Sequence, residues 1–142
     1  MINRIYSTIS IFLFLTVFSL MPIFSLAQAG FLDLSFGTGG IVTTDFGGSD
    51  DEGRSVVIQD DGKILVAGKK NSDFAIVRCN IDGSLDLSFG VGGIVTTDFG
   101  TDDEIGSSIK LQYDGKIVVA GYDHNGLYDF ALARYNNDGS LD

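Results

Sequence analysis

The feature that most constrains this chain is a phrase of sixteen residues that occurs twice. LDLSFGTGGIVTTDFG covers residues 32–47 and LDLSFGVGGIVTTDFG covers residues 85–100, with differences only at Thr38 and Val91. Self-similarity at a fixed period is typical of repeat architectures, in which each period is one supersecondary unit. The sequence therefore predicts a scaffold made of copies of one unit.

The repeat continues beyond the phrase at an offset of 53, which rises to 56 after a three-residue insertion that follows Gly121. Insertions are tolerated at exposed loop tips, so we place a loop there. We predict a first repeat over residues 30–84 and a second over residues 85–140. Leu141 and Asp142 open the phrase a third time. We therefore expect the chain to be a fragment of a longer repeat protein.

Residues 1–29 differ in character from the repeats. Arg4 is their only charge, an apolar run extends to Leu26, and the segment closes with Ala27-Gln28-Ala29. A small-x-small ending after an apolar run is typical of a cleaved signal peptide. The alternative is a membrane anchor, since the run approaches the roughly 20 residues of a spanning helix. We predict a signal peptide, a secreted or cell-surface location, and no membrane association after cleavage.

Charge and cysteine content narrow the classes of partner. The formal net charge is −10, and loss of residues 1–29 would remove only the positive Arg4. A strongly acidic surface repels phosphate backbones, so nucleic acid is not an expected partner. The single Cys79 has no partner for an internal disulfide, so stability must come from packing. We expect Cys79 to be a small buried apolar side chain.

Each repeat reads as four β-strands. The predicted strands of the first repeat are bounded by glycines or by an Asp-Gly turn, which is a strong hairpin signal. No stretch after residue 29 has a helical period, so the chain is predicted to be all-β. The first-repeat strands are residues 40–46, 55–59, 63–68 and 73–80.

The third predicted strand is apolar on both faces in both copies, as ILVA over residues 64–67 and IVVA over residues 117–120. Such a strand needs neighbours above and below its sheet. Four strands per period of about 50 residues, with such a strand inside, fit a β-propeller blade between two other blades. An open stack of sheets is the main alternative. We predict two four-stranded antiparallel blades from a larger propeller or array.

The repeated words also resemble a known family. The phrase, an acidic loop, DGKIxVAG and DFAxxRYNxDGSLD together look like the delta-60 repeat of bacterial secreted proteins, over nearly all residues after Ala29. The resemblance implies a β-propeller-like domain in exported proteins, with no enzyme activity and no established ligand. It also implies more copies than two. With fewer than about three repeats, faces and edges stay exposed, so we expect an oligomeric, aggregated or poorly cooperative protein.

The clearest candidate for metal chemistry is a calcium-loop-like segment, which runs over residues 80–86 and again over residues 136–142. Asp82 and Asp138 would be its central ligands, each followed by the glycine that permits a tight turn. However, the first ligand position of the pattern falls on Arg78 and Arg134, and a cation there opposes metal binding. A turn in which these side chains cap backbone groups is the favoured interpretation.

Two acidic runs are further candidates for a calcium or glycan site, since clustered carboxylates can hold a cation or a polar ligand. A solvated connection between strands is the more common role of such a run. We treat calcium as a possible ligand and expect no other cofactor. The candidates are Asp50, Asp51, Glu52, Asp102, Asp103 and Glu104.

Catalysis has no support in the sequence. His124 is the only histidine, it lies in the insertion, and no cysteine or second histidine completes a metal set. No repeated Ser-His-Asp arrangement is available, and the glycines of residues 37–40 precede a strand and not a helix. Three functions remain: a non-catalytic exported scaffold or interaction module, a calcium- or glycan-binding module, and the accessory propeller of a larger enzyme. The expected partners are an unknown protein or glycan and further copies of the repeat.

Overall fold

The structure is a computed structural model that describes residues 30–48, 50–100 and 103–142, and the predicted signal peptide lies outside these ranges. The described part contains strands and turns with no helix, so the all-β prediction is confirmed. Within it, no helix is long and apolar enough to cross a membrane. The strands are β1 (Asp51–Ile58), β2 (Ile64–Lys70), β3 (Asp73–Cys79), β4 (Ile94–Thr97), β5 (Asp103–Leu111), β6 (Ile117–His124) and β7 (Tyr128–Tyr135).

The strands form two antiparallel sheets, of order β1-β2-β3-β4 and β5-β6-β7. The predicted Asp-Gly turns join the first two strands of each sheet. Gly62 N–H donates to the Gln59 carbonyl at 2.9 Å, and Gly115 N–H donates to the Gln112 carbonyl at 3.0 Å. Gly62 has a φ of +82°, a conformation that side-chain-bearing residues rarely adopt. The local sequence therefore determines these two hairpins.

The fourth strand of the first sheet comes from the second copy of the phrase. β4 pairs with β3 so that Phe74 lies opposite Thr97 and Ile76 lies opposite Val95. The sheet therefore spans Asp51–Thr97 and contains parts of both sequence repeats. The boundaries of the sheets therefore differ from the repeat boundaries drawn from the sequence, because the last strand of the first sheet belongs to the second sequence repeat.

Two strand predictions need correction. Residues 40–46 form no strand, although Ile41 makes an isolated bridge with Thr38, as Ile94 does with Val91 in the second copy. The same IVTT sequence is a strand at residues 94–97 because β3 lies beside it there; among the described residues, no strand lies beside residues 41–44. The second sheet likewise has three strands instead of four, with a single bridge from Tyr135 to Leu141.

β1 and β5 begin earlier than the sequence indicates. Asp51 and Glu52 lie in β1, paired with Lys70 and Lys69, so the acidic run is part of a strand and not only a loop. Each strand then passes through a β-bulge, at Gly53/Ser55 in β1 and at Gly106/Ser108 in β5. The bulge inserts an extra residue, which hides the alternation on which a strand prediction depends.

The hydrophobic core lies between the two sheets. β2 and β3 contribute Leu65, Ala67, Phe74 and Ile76, which are all fully buried. Phe89 of the second phrase is buried in the same cluster. The second sheet contributes Ile109, Ile117, Val119, Ala131, Ala133 and Tyr135.

Candidate functional site

The main polar cluster of the first sheet is an ion triad of Lys63, Arg78 and Asp86. Lys63 Nζ and Arg78 Nε each donate to Asp86 Oδ2 at 2.7 Å, and the side chains of Arg78 and Asp86 are buried. The hydrogen bond from Lys63, followed by that from Ser88, holds the pKa of Asp86 well below its ordinary value. The carboxylate is therefore ionised and fully committed to these partners.

The second sheet repeats this triad. Lys116 Nζ and Arg134 Nε both donate to Asp142, the latter at 2.7 Å. The hydrogen bonds from Lys116 and then Arg134 lower the pKa of Asp142. The sequence words DGK, R and LD thus encode one ion triad per sheet. The sequence interpretation did not predict this triad, although the three segments that form it are all part of the repeat.

Arg78 also joins the two sheets. Its Nη1 donates to the Asn137 carbonyl at 2.5 Å, and its guanidinium carbon lies 4.5 Å from the Phe89 ring centroid. A buried guanidinium with a carboxylate, a carbonyl and an aromatic face is satisfied on all sides. The arginine that opposed the calcium interpretation is therefore a structural cation between the sheets.

The calcium-loop candidates Asp82 and Asp138 lie on tight turns. Asp82 Oδ1 accepts hydrogen bonds from Ser84 N–H at 2.9 Å and Ser84 Oγ at 2.6 Å, and Asp138 accepts the same pair from Ser140. These side-chain hydrogen bonds from serine lower the pKa of both carboxyls. The geometry is that of a capped turn, in which one oxygen of each carboxylate serves the backbone.

The described residues of the two acidic runs lie at or next to the starts of β1 and β5. Asp51 Oδ2 accepts from Phe46 N–H, and Glu104 Oε1 accepts from Phe99 N–H, each at 2.8 Å. Asp51 and Glu104 are therefore equivalent residues, each of which caps the end of its phrase. Asp50 and Glu52 are exposed, and Asp103 lies 3.6 Å from Lys69 Nζ. Asp102 lies outside the described residues.

One carboxylate cluster was missed by the sequence interpretation. Asp73, Asp98 and Glu104 each place an oxygen within 4.8 Å of the other two, where β3, the end of β4 and the start of β5 meet. Glu104 is 1% exposed. Asp73 and Asp98 belong to the repeated segments DF and TTDFG, but the convergence of their carboxylates with that of Glu104 depends on the packing between the sheets. Such a set of oxygens could hold a calcium ion.

An apolar groove of about 360 Å³ lies along the outer face of the first sheet. Phe36, Val42 and Phe46 of the first phrase form one wall, and Val66 and Val77 form the other. The corresponding region of the second sheet is filled, since Phe89 and Val119 belong to the core between the sheets. The residues that line the groove are therefore equivalent to residues that are buried between the two sheets in the second copy.

The remaining reactive side chains are not gathered into a site. Cys79 is a free thiol whose pKa is raised by burial. His124 lies in β6 opposite Tyr128, with a ring-centroid distance of 4.6 Å. Among the described residues, the cluster Asp73, Asp98 and Glu104 is the group of three whose oxygens converge as metal ligands would.

Comparison with known proteins supports the architecture. The family described as "Domain of unknown function (DUF5122) beta-propeller" matches residues 59–89 and 112–142. Each matched segment runs from the Asp-Gly turn of a sheet through its ion triad. Neither a curated protein nor a solved structure matches the chain.

Proposed function

We propose that this chain, whose repeats are of the β-propeller type, is a non-catalytic, exported scaffold or interaction module. One observation carries the proposal: the ion triad occurs once per sheet, its charges bind one another, and Arg78 of the first triad also donates to the Asn137 carbonyl in the turn after β7. A ligand site that occurred in every blade would be built from polar residues that occur in every repeat. Here they stabilise the fold, which leaves the surfaces of the blades for partners.

The two halves of this proposal, export and partner binding, can be tested in cells that produce the full chain with a C-terminal epitope. We expect the protein in the extracytoplasmic fraction, with an intact mass that corresponds to cleavage after Ala29. We also expect chemical cross-linking to capture it in a discrete higher-mass species. A chain that stays in the cytoplasm as an uncross-linked monomer would contradict the proposal.

A second candidate function is calcium binding, favoured by the convergence of Asp73, Asp98 and Glu104 within 4.8 Å. Calcium titration calorimetry of the purified chain tests it. We expect a heat of binding that disappears in Asp98→Asn, whereas Asp60→Asn, at an exposed turn, keeps it. The absence of heat in the unchanged protein would leave the cluster as a purely structural feature of the sheet junction.

A further inference from the structure

Four tight turns gather at one end of the strands. In each sheet the turn between the first two strands lies beside the turn that follows the third, because the first residue of the second strand pairs with the last residue of the third. A 2.7 Å hydrogen bond from Gln59 Nε2 to Asn137 Oδ1 joins the turns of the two sheets. The four turns, which we call the turn end, are residues 59–63, 80–84, 112–116 and 136–140.

A pocket of about 490 Å³ opens at the turn end, where the two sheets meet. One wall is the β1–β2 turn, with Gln59, Asp60 and Asp61, and the other is the β5–β6 turn, with Gln112 and Tyr113. Pockets that hold small ligands commonly have volumes of about 300–1,000 Å³. The volume is therefore sufficient for a small ligand.

The joint that forms this pocket is complete within the described residues, since both of its sheets belong to them. In a stack of repeats each unit contacts only its neighbours. A further sheet would therefore lie against an outer face of one of the two sheets and leave their joint unchanged. The pocket is a property of the joint itself.

The lining of the pocket has polar walls and an aromatic rim. The amides of Gln59, Gln112 and Asn137 each offer N–H donors and an oxygen acceptor. The Tyr113 side chain is 103% exposed, so its ring is available to a ligand. The negative face of an aromatic ring attracts C–H groups, which carry a small positive charge. The pocket therefore suits a molecule that has hydroxyl groups on its edge and C–H groups on its face.

Two of the amides have an unused acceptor. Within the described residues, Oε1 of Gln59 and Oε1 of Gln112 are shielded from solvent and accept no hydrogen bond. Gln59 lacks this donor even though its Nε2 is bound to Asn137, in the turn after β7. A buried acceptor without a donor costs free energy. A ligand hydroxyl group that donates to such an oxygen recovers this free energy.

The charge of the turn end disfavours acidic ligands. Each of the four turns has an aspartate before its glycine, and Asp60 adds a fifth carboxylate. Among the described residues none of the five forms a salt bridge, and the two ion triads beside them have only one excess positive charge each. Lys110 lies on the face of β5 opposite to the buried Ile109, away from the joint. The turn end is therefore negative and repels anions. The five exposed carboxylates are Asp60, Asp61, Asp82, Asp114 and Asp138.

We propose that the pocket binds a neutral oligosaccharide, with hydroxyl groups on the amides of Gln59 and Gln112 and one sugar ring packed on Tyr113. A purely cationic ligand would offer donors only and would leave the amide N–H groups of the pocket without acceptors, whereas a hydroxyl group both donates and accepts. This inference rests on the proposed interaction role and names a ligand class for it.

Titration calorimetry of the purified full chain with cellotriose, chitotriose, mannotriose and galactotriose tests the ligand class. We expect at least one of these neutral trisaccharides to bind, and we expect no binding of trigalacturonate, the acidic counterpart of galactotriose. A capped peptide of alternating lysine and glycine is the competing ligand. Binding of this peptide in place of every sugar, binding of trigalacturonate as tight as that of the neutral sugars, or no binding of any of them would overturn the proposal.

Substitution of Tyr113 tests where the sugar binds. Tyr113→Ala should weaken the binding of the trisaccharide by about tenfold, because the packing on the ring is lost. Tyr113→Phe keeps the ring and should retain most of the affinity. Tyr128→Ala is the matched control, since Tyr128 is 72% exposed and does not line this pocket. Equal affinities of Tyr113→Ala and Tyr128→Ala would place the sugar elsewhere and contradict the proposal.

The variant Gln112→Met separates binding from folding. It keeps the length of the side chain and removes an acceptor that has no donor, so the melting temperature should not fall. The affinity for the trisaccharide should fall by about fivefold. Unchanged affinity, or a loss of affinity that accompanies a lower melting temperature, would contradict the assigned contact. Failure of every sugar to bind would end this proposal alone, because the cellular cross-linking above would still decide the broader interaction role.

Discussion

Arg78 Nε donates a 2.7 Å hydrogen bond to Asp86 Oδ2, and both side chains are shielded from solvent. Removing one partner of a buried ion pair leaves the other charge uncompensated. We expect Asp86→Asn to lower the free energy of unfolding by about 3 kcal/mol, measured by urea denaturation. The equivalent change Asp142→Asn is the control and should cost clearly less, since its partner Arg134 is half exposed. Equal losses would mean that burial of the pair is unimportant.

The same carboxylate makes stability depend on pH. The hydrogen bond from Lys63 lowers the pKa of Asp86 in the folded protein, so the unfolded chain binds this proton more readily. The stabilisation is therefore complete above about pH 4, the ordinary range of an aspartate, and is lost as the pH falls further. We expect the melting temperature, measured by calorimetry, to decrease as the pH is lowered below about 4. In Asp86→Asn the fall should be shallower; an unchanged profile would remove Asp86 as the cause.

Equivalent phenylalanines should differ in their effect on stability. Phe74 is fully buried and makes an edge-to-face contact with Phe99 at 5.5 Å, whereas Phe130 is fully exposed. We expect Phe74→Ala to cost about 3–5 kcal/mol. Phe130→Ala should change the stability of the dilute monomer by less than about 0.5 kcal/mol. Denaturant melts at low protein concentration make the comparison, and similar losses would show that Phe130 packs within its own chain.

Gly68 illustrates a close approach of two backbones. A Cβ atom at Gly68 would lie 1.7 Å from the Glu52 carbonyl oxygen, whereas at Gly53 it would meet only a Val66 methyl at 3.0 Å. We expect Gly68→Ala to displace the β1–β2 pairing and to destabilise the protein by more than about 2 kcal/mol. Gly53→Ala, its neighbour across the pair, is the milder control. Thermal melts followed by far-ultraviolet circular dichroism would show the difference, and equal melting temperatures would contradict the packing.

Cys79 should report unfolding. Its side chain is buried and burial raises the pKa of the thiol, so little thiolate is available to react. We expect slow labelling by a disulfide reagent at pH 8 in the folded protein, and rapid labelling in urea. Fast labelling without denaturant would show that β3 opens readily.

The sequence was sufficient to predict the structural features that are local and repeated. The all-β class, both Asp-Gly hairpins and the burial of Leu65 and Ala67 in β2 follow from turn chemistry and from the pattern of apolar residues, whereas the opposite face of β2 lines the open groove. The fate of residues 40–46 could not be predicted, because IVTT becomes a strand only where another strand pairs with it. The bulge at Gly53 similarly hid the start of β1.

The candidate site was less accessible to sequence reasoning. The turns at Asp82 and Asp138 were one of two interpretations of their sequence, but the contact of Arg78 with the Asn137 carbonyl, in the turn after β7, depends on tertiary packing. The convergence of Asp73 with Asp98 and Glu104 has the same origin. Long-range geometry of this kind leaves no mark in the spacing of residues along the chain.

The offset between sheet and period has a consequence for how such chains can grow by gene duplication. Because β4 comes from the following period, copying one period inserts three strands of one sheet and the last strand of the sheet before it. Every duplication therefore preserves all the joints between sheets, whatever its breakpoint within the period. Each added period would bring one more sheet–sheet joint of the kind that joins the two sheets here.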